Sequence, residues 1–349
     1  MVSIPIDNVR GFIAEALLRL GLERQQAEIA ARHMAYADAK GTDTHGIMQL
    51  PVYARRIRDG GINRNPVLAW ENETEQSAVL NGDHGMGHYV THVAMEKAIE
   101  MAGRHTISFV TIRNGSHFGA ASSYAKMASD AKMIGFVTSN AAALMAATGG
   151  TQRVLGNNPL CFAVPRKEGD PVILDMACSN VAMGKLVMAQ NKGEQIPLGW
   201  ALDKHGRPTT DPYEGFQGGG SLVPIAGHKG YGLALVMDIL SGVLSGSNYG
   251  THVGRMADSP IPTGVGCSMI VLNIARILPL EVFEARLEDL LGMVAASGDG
   301  TSRIYLPGEK GAETARVRLQ TGVPIAGKLL GQLTELAEQL GIDTQQYGF

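Results

Sequence analysis

The stretch from Ile107 to Asn140, ISFVTIRNGSHFGAASSYAKMASDAKMIGFVTSN, alternates apolar runs with one amphipathic segment. The runs ISFVTIRN and IGFVTSN are typical of strands, whereas SSYAKMASDAKM has the apolar spacing of a helix. The alternation begins near residue 75, with a predicted strand SAVLNGD and a predicted helix HYVTHVAMEKAIEMAGRH. Strands that alternate with helices in this way predict an α/β fold.

The sequence on both sides adds further predicted elements. Residues 7–40 predict two amphipathic helices, and LPVYARRIRDGGI predicts a third that ends at its glycine pair. The runs LGNNPLCFAVP and DPVILDMACSN predict two strands, and the dense apolar segment 230–245 predicts a helix packed in a core or an interface. The last hundred residues predict a strand, CSMIVLNIA, and two helices, LEVFEARLEDLLGMVAAS and the segment 326–340.

Composition excludes several classes of function. A chain of 349 residues, 45% of them hydrophobic, is long enough to bury a full core. A net charge of −3 provides no positive field for nucleic acid. The three cysteines form no CxxC spacing, which favours free thiols in a reducing compartment. Because no signal peptide or membrane-spanning run is recognised either, we expect a cytoplasmic protein.

The predicted strand SAVLNGD runs into glycines and then a helix, as in a dinucleotide-binding turn. Gly85 and Gly87 supply the first two glycines, but Val90 takes the place of the third. The next strand ends in Arg113 and Asn114, where an acidic residue would bind the ribose. The pattern therefore favours a plain strand-to-helix turn over a Rossmann site.

His84, His88, His92 and Glu96 recur every four residues, which places them along one stripe if the segment is helical. Groups spread over three helical turns do not converge on one ion, so we predict no metal site and expect a solvated helix face. A metal-dependent lyase or hydrolase that uses this stripe stays open as an alternative.

Two other histidines lie in short segments bounded by glycine, His45 in THG and His117 in SHFG. Glycine lets backbone and ligand approach closely, and scaffolds often place reactive groups in such loops. Either histidine alone could be structural. Together they indicate acid–base chemistry at a carbonyl or hydroxyl oxygen.

Several turns have residues suited to an anionic, nucleotide-like ligand. Asn158 precedes a proline, and Asp175 ends a predicted strand shortly before a helix that starts near Asn180. Lys229 and Lys310 each lie in a glycine-containing turn, where an ammonium group can reach a phosphate. Each signal alone is weak, and a surface turn explains it equally well.

These segments occur in the order DTHGI, LPVYARRI, NGSHFGAASSYA, LGNNPLCFAVP, LDMACSNVAMGK, GHKGYGLALVMDIL and YLPGEKG. In this order they resemble the malate/L-lactate dehydrogenase family, which lacks the Rossmann fold, and the resemblance extends from about residue 5 to 342. Relatives in that family include ureidoglycolate, sulfolactate and 2,3-diketogulonate oxidoreductases and piperideine-2-carboxylate reductases.

The resemblance implies an α/β fold in three parts. They are a helical, substrate-side part (1–74), a non-Rossmann α/β sheet domain that binds the nicotinamide cofactor (75–250), and a C-terminal segment that completes the substrate side (251–349). It also implies a homodimer that uses NAD or NADP and a small-molecule substrate.

The resemblance further implies roles for individual residues. We expect His117 to be the acid–base group and His45 to orient the substrate or share its proton. Thr44, Gln49 and Tyr53 would contact the substrate, while Asn158 would shape the pocket. The implied cofactor-binding residues are Ser139, Asn140, Asp175, Met176, Ala177, Cys178, Ser179, Asn180, Val181, His228, Lys229, Gly308, Glu309 and Lys310.

One position departs from the family pattern. Family members usually have an arginine four residues after the first histidine, where it can clamp a substrate carboxylate, and this chain has Gln49 there. Arg55 or Arg56 could supply that charge from the next helical turn, although we expect both to be surface charges.

We therefore expect an NAD(P)-dependent oxidoreductase for 2-hydroxy or 2-oxo acids of the malate, lactate, ureidoglycolate or sulfolactate type. A cyclic imino acid reductase and a non-catalytic family member remain alternatives to this expectation.

Overall fold

The computed structural model describes residues 2–349. Within that range the chain forms eleven α-helices: α1 (Ile6–Arg19), α2 (Arg24–Ala39), α3 (Leu50–Asp59), α4 (Gly87–Arg104), α5 (Ala121–Asp130), α6 (Met183–Lys192), α7 (Pro212–Gly215), α8 (His228–Asp238), α9 (Leu280–Ala296), α10 (Glu309–Thr321) and α11 (Gly327–Leu340). The same range holds fourteen strands: β1 (Val2–Ile4), β2 (Ala69–Glu71), β3 (Ser77–Asn81), β4 (Ile107–Gly115), β5 (Met133–Ser139), β6 (Met145–Ala146), β7 (Arg153–Leu155), β8 (Leu160–Val164), β9 (Val172–Met176), β10 (Ala201–Leu202), β11 (Pro208–Thr209), β12 (Ser221–Leu222), β13 (Val265–Asn273) and β14 (Val323–Ile325).

Seven strands form a central sheet in the order β2-β3-β4-β13-β5-β8-β9. The neighbours β3 and β4 are parallel, and the other neighbouring pairs of this sheet are antiparallel. Strand β13 separates β4 from β5, since Met269 pairs with Val110 on one side and Val137 on the other. The predicted α/β fold is confirmed. The antiparallel pairs, those of β13 among them, are also why the sheet is not of the Rossmann type, which consists mostly of parallel strands.

Helices α4 and α5 pack on this sheet through small buried residues. Ala94 and Ala98 of α4 and Ala125 of α5 belong to the same buried cluster as Val110 and Val137. The contact between α5 and the sheet is close, because a Cβ atom added to Gly135 would lie 2.6 Å from the carbonyl oxygen of Ala125. This packing fixes the start of α5, and with it the preceding loop that contains His117.

A second core joins the two ends of the chain. Phe12, Met34 and Leu50 of the first three helices pack with Leu333 of α11, and β1 pairs with β14. The expected third part, residues 251–349, contributes to both cores: β13 lies in the central sheet, whereas α11 packs with the N-terminal helices. The division into 1–74, 75–250 and 251–349 stays a prediction.

A smaller sheet, in the order β11-β10-β12-β6-β7, packs with α6 and α8. Helix α8 buries Ala234 and Met237 and continues into a π-helical turn, Ile239–Val243. Its other side is exposed in the single chain through Leu235, Val236, Ile239, Val243 and Leu244. No helix in the described range has the length and apolar character needed to cross a membrane.

Candidate active site

A cavity of about 460 Å³ opens between the N-terminal helices and the central sheet. Its walls come from the turn after α2, the loops after β4 and β5, the end of β9 and the start of α10. The sequence-predicted residues that line it are Thr44, His45, His117, Ser139, Asn140, Asp175, Met176, Ala177 and Gly308.

His45 and His117 face each other across this cavity. Their ring centroids are 5.6 Å apart, and the rings are inclined by 29°. His45 ends a single 3-10 turn, Asp43–His45, that follows α2, whereas His117 lies in the loop between β4 and α5. The fold thus brings two imidazoles from separate segments to one ligand site.

Each imidazole has a hydroxyl partner at Nδ1. The Thr44 Oγ1 atom lies 2.9 Å from His45 Nδ1, and the Tyr53 hydroxyl lies 2.6 Å from His117 Nδ1. Neither bond uses Nε2, so that nitrogen stays available for a ligand. Tyr53, expected to contact the substrate, is instead fully buried in α3 and lies outside the cavity lining.

Both imidazoles are neutral near pH 7. Burial lowers the pKa of His117 well below 6.5, and the neighbouring His45, His88 and Arg56 lower it further. Burial also lowers the pKa of His45, while the carboxylate of Asp175 opposes this shift. A neutral imidazole can accept a proton, so both groups are in the state that a general base requires.

The glycine after His45 is explained by a close approach to α2. A Cβ atom at Gly46 would lie 1.9 Å from Asp38 Oδ1, so any side chain there would collide with this buried carboxyl. Asp38 Oδ2 accepts a hydrogen bond from the backbone N–H of Ile47 at 2.8 Å. Burial and the nearby Asp43 raise the pKa of Asp38 to about 8. Asp38 therefore holds the turn that contains His45.

Gln49, which was expected to contact the substrate, does not line the cavity. Its side-chain amide donates a hydrogen bond to the carbonyl oxygen of Thr44 at 2.8 Å, which stabilises the turn between α2 and α3. The structure therefore gives Gln49 a partner within its own loop at the position where the family pattern has the clamp arginine.

The expectation that Arg56 is a surface charge is wrong. Its side chain is fully buried, and its guanidinium donates to the carbonyl oxygens of Gly61, Arg255, Met256, Asp258 and Ile261 at 2.7–3.3 Å. Planar guanidinium groups suit such multiple contacts. Arg56 thereby holds the segment 254–263, which contributes to the cavity wall. Arg55, by contrast, is exposed as expected.

The end of β9 and the loop after β5 form one wall of the cavity. Asp175 Oδ2 accepts a hydrogen bond from the Ser122 backbone N–H at 3.1 Å. The Asn140 side chain is used within the protein, since it donates to Asp238 at 2.9 Å and accepts from the backbone N–H of Gly266 at 2.9 Å. The side-chain amide of Asn140 therefore connects β13 to α8. Other atoms of Asn140 line the cavity.

The other predicted cofactor residues lie next to the cavity or point away from it. Cys178 and Asn180 pair through their backbones with Ile225 and Val223 at 2.9 Å, which brings the start of α8 beside them. These two residues and six other predicted cofactor residues do not line the cavity. Outside the lining are Cys178, Ser179, Asn180, Val181, His228, Lys229, Glu309 and Lys310.

Two of these residues have partners of their own. Glu309 Oε2 accepts a hydrogen bond from the backbone N–H of Leu306 at 3.0 Å. Lys310 lies over the ring of Tyr305, with its ammonium 4.8 Å from the ring centroid. Neither side chain is directed to the cavity.

The expectation of a solvated histidine stripe is wrong. His84 precedes α4 in a turn with φ of 55°, and His88 and His92 are buried. His92 bonds to His33 at 3.0 Å and to Glu96 at 3.3 Å. Burial between α2, α4 and α5, which the i+4 spacing alone does not show, explains these histidines.

Several lining residues were missed from the sequence, among them four with polar side chains near the histidines or Asp175. Tyr36, Lys40, Thr42 and Ser122 all face the cavity. Three of them lie at the end of α2 or just after it, within ten residues of His45. Their closeness to the THG segment was the available signal, but helical spacing alone did not distinguish them from surface residues.

Comparison with known proteins gives a consistent result. The family model for malate/L-lactate dehydrogenase matches residues 4–334. Malate dehydrogenase of Pyrococcus abyssi is 40% identical over 98% of this chain and 96% of its own length. Ureidoglycolate dehydrogenase (NAD(+)) of Escherichia coli K12 is 35% identical over 88% of each chain. The solved sulfolactate dehydrogenase of Methanocaldococcus jannaschii superposes with a TM-score of 0.93, at 33% identity over 99% of each chain.

These relatives match 88–99% of the chain, and their names describe dehydrogenases of hydroxy acids. This chain, with its mixed central sheet and two cavity histidines, therefore matches these dehydrogenases in length and in fold. The protein belongs to the malate/L-lactate dehydrogenase family.

Proposed function

We propose that this protein transfers a hydride between NAD(H) or NADP(H) and a small 2-hydroxy or 2-oxo acid. The observation that carries the proposal is the facing pair His45 and His117, which shares one cavity with Asp175. The names of the relatives support the same class of reaction, and one of them names NAD(+).

The cavity residues fit a nicotinamide cofactor. Asp175 is an acceptor for ribose hydroxyls, as acidic residues are in other dinucleotide sites. Gly308 has a φ of 94°, and a Cβ atom added to it would lie 3.1 Å from the backbone N of Ile173. Because glycine has no side chain, this part of the cavity wall consists of backbone alone. When bound, the nicotinamide ring supplies or accepts the hydride.

In this mechanism His117 moves the proton. During oxidation, its Nε2 accepts the proton of the substrate hydroxyl while Nδ1–H donates to the Tyr53 oxygen. During reduction, the imidazolium Nε2–H donates that proton to the carbonyl oxygen. His45, whose ring centroid is 5.6 Å from that of His117, binds the same substrate oxygen or the adjacent substrate carboxylate. General acid–base catalysis of this kind contributes roughly 10²–10⁴-fold to the rate.

The proposal includes a homodimer. The exposed apolar side of α8, with Leu235, Val236 and Ile239 at its centre, is of the kind that homodimer interfaces cover. Light scattering on the purified protein is expected to give twice the mass of one chain. A monomer at micromolar concentration would contradict this part.

The proposal also includes a cytoplasmic location. Its support is that Cys161, Cys178 and Cys267 are all free and buried, as in proteins of reducing compartments. Fractionation of cells that produce the protein is the corresponding test, and recovery outside the cytoplasm would contradict it.

A spectrophotometric screen tests the reaction itself. NADH or NADPH is mixed with the protein and a panel of 2-oxo acids, with cyclic imino acids as the competing substrate class. We expect oxidation of the cofactor with at least one 2-oxo acid. Turnover confined to cyclic imino acids, or absent with the whole panel, would contradict the proposal.

A further inference from the structure

Lys40 is the one lysine or arginine that lines the cavity in the described range, residues 2–349. It follows the last residue of α2, and its side chain is half-buried. Its Cδ atom lies 3.5 Å from the position that a Cβ atom would take at Gly311, and its ammonium lies 5.9 Å from the ring centroid of Tyr36. The aliphatic part thus runs beside Gly311, and the ammonium lies near the Tyr36 ring at the cavity wall.

The charge of Lys40 is not balanced by the protein. Among residues 2–349 no carboxylate forms an ion pair with it, whereas its cationic neighbours are paired: Lys126 with Asp130 at 2.7 Å and Arg316 with Asp170 at 2.7 Å. Asp170 is the carboxylate that acts on Lys40, but it is paired with Arg316, so the half-buried ammonium keeps an unpaired positive charge at the cavity wall. An oxyanion bound there would gain a charge-assisted hydrogen bond.

The position of Lys40 limits which oxyanion it can meet. Ile173 and Asp175 both line the cavity on one side of β9, about 7 Å apart at the rise of a strand. Asp175 is the charge that acts on His45, whereas Ile173 lies against Gly308, one turn before the Gly311 that contacts Lys40. Lys40 is therefore at the far side of Asp175 from the histidines.

The carboxylate of a 2-oxo acid is bonded to the reacting carbon and must stay beside the histidines. Because Asp175 separates Lys40 from the histidines in this arrangement, the anion at Lys40 is assigned to a more distant part of the bound molecules. The neighbouring Asp175 is suited to ribose hydroxyls, and Tyr36 and Thr42 add hydroxyl groups to the same cavity. A sugar phosphate matches this combination of one cation, one carboxylate and several hydroxyls.

We propose that Lys40 binds a phosphate group of the nicotinamide cofactor, an inference that rests on the proposed function. The test is Lys40→Gln, with NADH and NADPH binding measured separately by calorimetry in the absence of substrate. We expect the Kd to rise about tenfold or more for at least one cofactor, because a charge-assisted contact is lost. A rise for NADPH alone assigns the 2′-phosphate, and an equal rise for both assigns the pyrophosphate.

Two matched variants serve as controls. Lys40→Arg keeps the charge and is expected to bind within a few-fold of the unmodified protein. Lys126→Gln removes a neighbouring lysine that is outside the cavity lining and is expected to leave both Kd values unchanged. Thermal unfolding of each variant, compared with the unmodified protein, shows whether folding is preserved.

Three outcomes would overturn the inference. Unchanged Kd values in Lys40→Gln would show that the ammonium contacts no cofactor phosphate. Unchanged Kd values together with a higher KM for the 2-oxo acid would assign Lys40 to the substrate instead. If the unmodified protein binds neither cofactor, the proposed function itself fails and the inference falls with it.

Discussion

The 2.6 Å hydrogen bond between Tyr53 and His117 determines which nitrogen of His117 can react. Burial raises the pKa of the Tyr53 phenol, so the hydroxyl stays protonated and neutral. In the tautomer that the proposed mechanism uses, its oxygen accepts from Nδ1–H, which leaves Nε2 to exchange the proton. Tyr53 is thus a positioning residue that acts through His117, in the same way as the group that orients the histidine of a catalytic triad.

Replacing Tyr53→Phe tests this role. We expect kcat to fall by about tenfold while the substrate KM changes little, because the lost bond orients His117 without touching the substrate. The acidic limb of the pH profile should also move to lower pH, since the imidazolium loses its acceptor. Tyr89→Phe, outside the cavity lining, is the control. An unchanged kcat and pH profile in Tyr53→Phe would contradict the role.

The lowered pKa of His117 predicts the pH dependence of the reaction. Oxidation needs neutral His117, and a pKa below 6.5 keeps it neutral until the pH falls beneath that value. The acidic limb of kcat/KM for hydroxy acid oxidation is therefore expected below pH 6.5, whereas reduction, which needs the imidazolium, should slow as the pH rises. Initial rates between pH 5 and 9 check this. An acidic limb above pH 7 would contradict it.

Sequence reasoning found some of these residues and missed others for a physical reason. His45 and His117 could be identified because glycines mark the close approaches around them. The role of Tyr53 as a partner of His117 depends on how α3 packs against the loop after β4, and one-dimensional spacing does not contain that information. The same holds for Lys40, whose helix position resembles that of any surface lysine.

Helix α3 connects the catalytic loop to the opposite wall of the cavity. Tyr53 and Arg56 lie three residues apart and so on neighbouring positions of one helix face. Tyr53 bonds to His117, while Arg56 holds the backbone of residues 255–261. Helix α3 therefore positions the imidazole of His117 and also holds in place the part of the cavity wall formed by residues 254–263.

Arg56→Lys should loosen that wall. A single ammonium cannot reproduce the contacts that a planar guanidinium makes to five carbonyl oxygens. We expect the substrate KM to rise about tenfold with a smaller change in kcat, and hydrogen exchange in residues 254–263 to become faster. Arg55→Lys, an exposed neighbour, is the matched control. If exchange and KM in Arg56→Lys equal those of the control, the anchoring role is wrong.

Most long elements were predictable, and the short ones were not. Helices α3, α4 and α11 and strands β4, β5 and β9 match their predicted segments closely, because each has a clear apolar period. The strands of two or three residues were missed, since so few residues show no period. Helix α10 was missed because its first residues were interpreted as a glycine-containing turn. The place of β13 between β4 and β5 was also unpredicted, because strand order depends on contacts distant in sequence.

The cavity exists because two separately packed cores face each other. The N-terminal helices, closed by α11, supply His45, Thr44 and Lys40, whereas the central sheet supplies His117 and Asp175. Neither core has the acid–base pair by itself. The account therefore requires that chemistry occur at this junction, with His117 as the group that moves the proton.

His117→Ala tests that claim most directly, with turnover of the best 2-oxo acid and cofactor binding measured on the same preparation. We expect kcat to fall by roughly 10²-fold or more, because the proton donor is lost. The Kd of the cofactor should stay within a few-fold of the value for the unmodified protein, since the proposed cofactor contacts, Asp175, Gly308 and Lys40, do not include His117. Near-normal turnover in a folded variant that binds cofactor would contradict the account.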